Sequence, residues 1–299
     1  MTGPAAPLRI EGLVKHYGRV EAVRGIDLQV EPGEVFGFLG PNGSGKTTTI
    51  RCLLGLLQPN AGRVQVFGLD TARDGVAVRR RVAYVPGELR LPDRVSGSDF
   101  VTSMGRLRGG LDTARRDDLA ARLRLDLRRP MGELSTGNRR KLALLLAFLA
   151  RADLLVLDEP TNGLDPLMQH VFLEMVEEAR ATGVTIFLSS HSLSEVQRAA
   201  SRVAVLRSGK VVFEGSVSSL RGRARQHVEV WFADTPPEAE LEPLDGLVER
   251  HVTGRHLTAT LAGPIQPLLE VLARYPVVSM VVEEPDLEEA FIELYGGAT

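Results

Sequence analysis

The chain has 299 residues, 43% of them hydrophobic, and a formal net charge of −2. That size and apolar content predict one large domain plus a smaller one, and the near-neutral balance gives no electrostatic reason to expect a nucleic-acid partner. The longest apolar run, residues 142–150, is flanked by Lys141 and Arg151 and is too short to span a bilayer, while the lone cysteine, Cys52, excludes an internal disulfide or a cysteine metal cluster.

Residues 1–7 carry neither a basic region nor an apolar core, so a secretory signal is not expected and a cytoplasmic location is. Residues 8–14, 22–30 and 35–39 read as short strands, with Glu31-Pro32-Gly33-Glu34 as a tight turn. Tyr17 falls in the predicted loop between the first two strands, where an aromatic ring can stack on a base or simply pack.

The third strand runs into Gly40-Pro41-Asn42-Gly43-Ser44-Gly45-Lys46-Thr47-Thr48, which matches G-x-x-x-x-G-K-[ST], the phosphate-binding loop. Its glycines let backbone N–H groups converge on phosphate oxygens, and the following helix adds the positive end of its dipole. In that pattern Lys46 reaches the β- and γ-phosphates and the Thr47 hydroxyl holds Mg²⁺.

A helix is predicted over 47–57, a strand over 63–67 and another over 82–85, ending at Pro86-Gly87-Glu88. From Ser96 to about Arg128 the pattern turns helical, which marks a helical subdomain inserted in a nucleotide fold. Leu134-Ser135-Thr136-Gly137-Asn138 then precedes a helix predicted over 139–150, with Leu142, Leu145, Leu146 and Leu149 on one face. Ser135 and Gly137 stand at its N-terminus, where free backbone donors serve an ordinary cap or an anion.

Residues 154–157 are apolar and deliver Asp158 and Glu159 at a strand end, where ligands bind in open parallel sheets. Asp158 suits Mg²⁺, and Glu159 suits the orientation or deprotonation of a water. A turn over 161–166 leads into a helix over 167–181 and a strand over 184–189, after which His191 can donate to a γ-phosphate. Residues 203–206 and 211–214 read as a closing hairpin with Ser208-Gly209 at its turn.

Beyond about residue 219 the chain predicts strands at 227–232, 256–261 and 277–282 and a helix at 265–273. A last helix opens at Asp286-Leu287-Glu288-Glu289, which has capping-box spacing. This tail is a small α+β unit without a catalytic constellation.

Taken together, these residues resemble the ATPase subunits of ATP-binding-cassette (ABC) transporters, over residues 8 to about 218. Gly40 to Thr48 is similar to Walker A, Leu134 to Asn138 to the signature motif, and Leu154 to Glu159 to Walker B with its catalytic glutamate. Asp165 resembles the D-loop aspartate, His191 the switch histidine and Tyr17 the adenine-stacking aromatic. The resemblance implies an α/β P-loop NTPase cassette (residues 1–218) with a β-rich N-terminal subdomain and a helical subdomain at about 88–150. Residues 219–299 would then form the accessory domain.

It further implies ATP and Mg²⁺ as ligands, and hydrolysis carried by Lys46, Glu159 and His191. The implied site is completed by Ser135, Thr136, Gly137 and Asp165 across a pair of cassettes, the second being an identical or homologous chain. An integral membrane permease on a separate chain, a peripheral position on the cytoplasmic membrane face and the absence of nucleic acid follow from the same likeness.

Two departures matter. Leu-Ser-Thr-Gly-Asn in place of Leu-Ser-Gly-Gly-Gln resembles the subgroup that exports drugs, antibiotics, polysaccharides or lipids. Where the family carries a Q-loop glutamine this chain has Gly87 followed by Glu88, and Glu88 is expected to take over part of that role. The alternative, a soluble ABC ATPase acting on ribosomes or DNA, would bring two cassettes in one chain or a long coiled coil, and neither is present. A P-loop GTPase would need Asn-Lys-x-Asp, and the sequence has no Asn-Lys pair.

Overall fold

Alternating apolar residues build the entry to the chain, here seen in a computed structural model that describes residues 5–221 and 226–282. Strands β1 (Leu8–Tyr17) and β2 (Val20–Val30) pair antiparallel. Gly18 takes a left-handed φ of 58° in the turn between them, a conformation open to glycine at little cost. Pairing therefore continues out to Tyr17 opposite Val20, and Tyr17 ends a strand rather than lying in a loop.

Strand β3 (Val35–Leu39), buried at all five positions, enters the central sheet. The phosphate loop and helix α1 (Lys46–Leu53) follow. The helix is about a turn shorter than its periodicity predicts. At Gly55 the chain adopts φ 62°, and an added Cβ there would stand 2.4 Å from the Thr71 carbonyl oxygen. Strands β4 (Ala61–Val66) and β5 (Leu69–Asp70) complete a four-stranded sheet in the order β2-β1-β4-β5.

Helix α2 (Gly75–Arg81), which the sequence reading does not include, leads into β6 (Val82–Val85). Next come α3 (Gly97–Leu107), α4 (Thr113–Arg122), a 3-10 turn at Met131–Glu133 and α5 (Thr136–Leu149). Three side-chain caps start these helices: Ser96, Asp112 and Ser135 accept from the N–H groups of Asp99, Arg115 and Asn138. Helix α5 begins earlier than predicted because the Ser135 cap sets its start. It is also buried more widely than one stripe, through Leu142, Ala143, Leu144, Leu145, Ala147 and Phe148.

The chain continues through β7 (Leu154–Asp158), α6 (Pro166–Ala181), β8 (Thr185–Ser190), α7 (Leu193–Ala199), β9 (Arg202–Arg207) and β10 (Lys210–Ser216). The central sheet has the order β10-β9-β3-β8-β7-β6, with β9, β3, β8, β7 and β6 parallel to their neighbours in that run. Burial on both faces makes such strands apolar throughout. Leu154 and Val156 face the core shared with β1, β2 and α1, whereas Leu155 and Leu157 face the core formed with α3 to α6. Phe36 stacks on Phe187 at 5.9 Å inside the first of these.

Contacts divide the chain into two compact units, Met1–Glu214 and Gly215–Thr299. The second holds α8 (Val217–Arg221), β11 (Gln226–Phe232), α9 (Glu238–Leu241), β12 (Leu247–Thr253), β13 (His256–Leu261), α10 (Gln266–Leu272) and β14 (Val277–Val282). Its antiparallel sheet has the order β12-β13-β11-β14, a split β-α-β arrangement. Val228, Val230 and Phe232 pack with Leu257, Leu261, Leu268 and Leu272, while Trp231 stacks on His256 with ring centroids 4.4 Å apart. Strand β12 escapes a period-two reading because its pairing shifts register between Val248 and His251, where Glu249 takes φ 51°. The helix expected from Asp286 lies outside the described residues.

Candidate functional site

The site forms where three neighbouring parallel strands, β3, β8 and β7, end together. Beyond β3 the loop turns sharply at Gly45, whose φ is 111° and whose missing Cβ would meet the Ala22 carbonyl oxygen at 2.4 Å. Only glycine fits there, and the turn aims Lys46 back across the loop. Lys46 Nζ donates to the Gly40 oxygen at 2.5 Å and the Pro41 oxygen at 3.2 Å. It also pairs with Glu159 Oε1 at 3.2 Å, the two side chains being 6% and 12% exposed. Removing one member of such a buried pair leaves an uncompensated charge, at about 3–5 kcal/mol.

Strand β7 supplies the carboxylates. Asp158 is fully buried and accepts from Thr47 Oγ1 at 3.0 Å on Oδ2 and from Ser189 Oγ at 2.5 Å on Oδ1. The next residue, Glu159, has φ 50°, unusual for a non-glycine, and its N–H donates to the Ser189 carbonyl at 3.0 Å. That backbone turn swings the Glu159 carboxylate toward both Lys46 and His191, whose Nδ1 lies 2.6 Å from Oε2. Outside its pairing with Lys46, Glu159 Oε1 has no hydrogen bond, and the buried Ser44 hydroxyl also has no partner. An unsatisfied hydroxyl in the phosphate loop and an unsatisfied carboxylate oxygen at the end of β7 fit an incoming phosphate and a water.

Lys46, Thr47, Asp158, Glu159 and His191 thus come together, as the sequence predicts. Of the other predicted residues, Gly40 and Pro41 join this cluster through the carbonyls that accept from Lys46. Pro41, Asn42 and Gly43 are exposed along the loop, and Thr48 is half-buried in the first turn of α1. Tyr17 is 47% exposed, with Lys15 Nζ 5.6 Å from its ring centroid. Ser135 and Thr136 are exposed at the start of α5. Gly137 packs so closely on the loop before α6 that an added Cβ would stand 2.8 Å from the Gly163 carbonyl oxygen. Asp165 caps α6 by accepting from the Met168 N–H at 2.9 Å. Gly87 lies beside Asp158, a Cβ built there coming 3.3 Å from Asp158 Oδ2, and the neighbouring Glu88 is exposed.

A second layer was not read from the sequence. The Arg140 guanidinium donates to the Pro86 and Gly87 carbonyls, both at 2.6 Å. Burial lowers its pKa, against the opposing pull of Asp158 and Glu159. Burial likewise pushes the Tyr84 phenol up to about 12, with the Asp158 charge adding to it. Behind His191, Glu195 accepts from Ser190 Oγ at 2.5 Å, and burial raises its pKa above the ordinary carboxylate range. Spacing alone cannot reveal such contacts, since Arg140 and Pro86 are 54 positions apart.

Residues 23–162 match the ABC transporter family. The daunorubicin/doxorubicin resistance ATP-binding protein DrrA of Streptomyces peucetius is 34% identical over 99% of this chain and 94% of its own. The Nod factor export ATP-binding protein I of Paraburkholderia xenovorans (strain LB400) is 33% identical over 98% of each chain. Among solved structures, the ATP-binding subunit of an ABC transporter superposes with a TM-score of 0.67 at 30% identity, over 72% of this chain and 91% of that one. With full-length identity above 30% to proteins of that description, and with the phosphate loop and the Asp158-Glu159 strand end built as described, the chain belongs to the ABC transporter family, as an ATP-binding subunit of the exporter type.

Proposed function

We propose that the chain hydrolyses ATP held on residues 40–48 and that this drives export through a membrane subunit on another chain. The observation that carries the reading is the convergence of Lys46, Thr47, Asp158, Glu159 and His191 where the central strands end. Positioning and charge neutralisation do most of the work in phosphoryl transfer, and these five residues supply both. The loop N–H groups and Lys46 hold the phosphates, and Tyr17 offers a half-exposed ring to the base.

Lys46 is held by Glu159. An arriving phosphate replaces Glu159 as the partner of Lys46, which frees Oε1 to take a proton from water. His191, on the other carboxylate oxygen, keeps Glu159 in place while this happens. Thr47 and Asp158 would hold Mg²⁺: a hydroxyl and one carboxylate oxygen 3.0 Å apart fit a hard cation that fills its shell with phosphate and water. That ion would neutralise charge developing on the phosphates.

Ser135, Thr136 and Gly137 are exposed or half-exposed at the N-terminus of α5, which supports a role on the ATP of a second cassette, with Asp165 in the adjoining turn. We assign that second cassette to an identical or homologous chain, and place the pair on the cytoplasmic face of the membrane beneath a separate permease. Among the described residues no helix is long and apolar enough to cross a membrane. The relatives are named for daunorubicin/doxorubicin resistance and Nod factor export, and export of a compound of comparable kind is the reading carried over here.

Glu159→Gln tests the mechanism. It should retain ATP binding, lower hydrolysis by about 10³-fold, and run as a dimer in gel filtration with ATP. A variant no more dimeric than the wild type would remove the two-site reading.

A further inference from the structure

Arg140 is the one fully buried arginine among the described residues, and it joins two parts of the molecule that are far apart in sequence. It sits in the first turns of α5, five residues after Ser135. Its two terminal nitrogens fork onto the Pro86 and Gly87 carbonyls at 2.6 Å each, a geometry that a lysine, with a single point charge, cannot reproduce. Gly87 in turn abuts Asp158, with its Cβ direction ending 3.3 Å from Oδ2. The remaining nitrogen, Nε, is buried with no hydrogen-bond partner, so the hydrogen bonds of this cation go to the carbonyl fork. Beside it, Arg139 donates to the Gly132 and Leu134 carbonyls at 3.1 and 3.2 Å, fixing the chain just before the Ser135 cap.

We propose that Arg140 is a positioning residue that ties the Ser135–Gly137 turn to the Pro86-Gly87 loop, so that a second cassette docking on that turn is felt at Asp158 and Glu159 of the same chain. This rests on the two-site reading given above. A rigid bidentate link of this kind moves with α5, and Gly87 has no side chain to buffer the displacement before it reaches Asp158. The consequence is directional: Arg140 acts on the site of its own chain and not on the site its signature turn covers.

Single-turnover ATP hydrolysis in mixtures of full-length chains tests that direction. When Arg140→Gln chains are mixed with excess Glu159→Gln chains, only the Arg140→Gln chain's own carboxylates can hydrolyse. The rate should fall about 10-fold relative to wild type in the same excess, with the ATP concentration for half-maximal rate moved by less than about two-fold. When wild-type chains are mixed with excess chains carrying both Glu159→Gln and Arg140→Gln, the rate should match the wild-type mixture. Equal losses in both mixtures would assign Arg140 to the mere folding of α5, and no loss in the first would remove its role altogether; either overturns the proposal. Should Arg140→Gln not fold, Arg140→Lys, which keeps the charge and loses the fork, decides through the same two mixtures. If Glu159→Gln chains fail to dimerise with ATP, the two-site reading fails first and the proposal falls with it.

Discussion

The proposed function assigns phosphate to two stretches of this chain, and they differ in what surrounds them. Around Lys46 most of the polar groups are buried and already engaged with one another: Lys46 on Glu159 and two carbonyls, Asp158 on Ser189 and on the exposed Thr47. Around Ser135 the side chains of Ser135 and Thr136 face solvent, and the Ser135 hydroxyl accepts the cap hydrogen bond from the Asn138 N–H at 3.3 Å. A buried, paired network is preorganised and costly to disturb; an exposed helix start is cheap to alter and acts only when something covers it. The first should govern whether ATP binds, the second whether bound ATP turns over.

That contrast breaks most readily at Lys46. Lys46→Ala removes the cation from a buried carboxylate and from the phosphates, and should lower ATP affinity at least about 100-fold, read by calorimetry on the monomeric chain. Ser135→Ala should leave that affinity unchanged while lowering turnover by about 10- to 100-fold at concentrations where cassettes pair. Its cost in stability should be that of a lost cap, about 1 kcal/mol, read from denaturant unfolding. A loss of monomer affinity in Ser135→Ala would erase the distinction between the two stretches.

The smallest expected effect sharpens the buried side. Glu195 is raised above its ordinary value of 4.5, chiefly by burial, so the folded state holds this proton more tightly than the unfolded chain does. Below the unfolded value its contribution to stability is fully present, and it is lost as pH rises through the folded value. Glu195→Gln keeps an acceptor for Ser190 and removes the buried charge. It should melt about 2 °C higher than wild type near pH 8, with the difference closing toward pH 4. A difference constant across that range would show that Glu195 is not charged in a dry environment.

Much of the buried side was legible in the sequence because local rules converge there. Gly45 and Lys46 follow a strand and open a helix, and Asp158-Glu159 end an apolar run, so motif and periodicity agree. What the sequence could not carry is the backbone turn at Glu159, with its φ of 50°, which lets one carboxylate serve both Lys46 and His191. The Arg140 fork was equally hidden, since an arginine in a basic run reads as a solvated face until the fold buries it. Helices α2 and α7, of seven residues each, are too short for a 3.6-residue period to stand out. In the second unit β12 was lost to its own bulge. Tyr17 was misplaced by a strand that pairs further than its apolar residues suggest.

Gly137 and Gly163 carry one more consequence. The Gly163 carbonyl approaches Gly137 so closely that no side chain fits at Gly137, and α6 begins two residues beyond Gly163 at the Asp165 cap. The start of α5 and the start of α6 are therefore not two independent moving parts but one, sharing a single bearing surface. A cassette with fewer degrees of freedom has fewer ways to dock incorrectly, and in the proposed two-cassette arrangement whatever separates one of these helix starts from a facing nucleotide must withdraw the other in the same stroke.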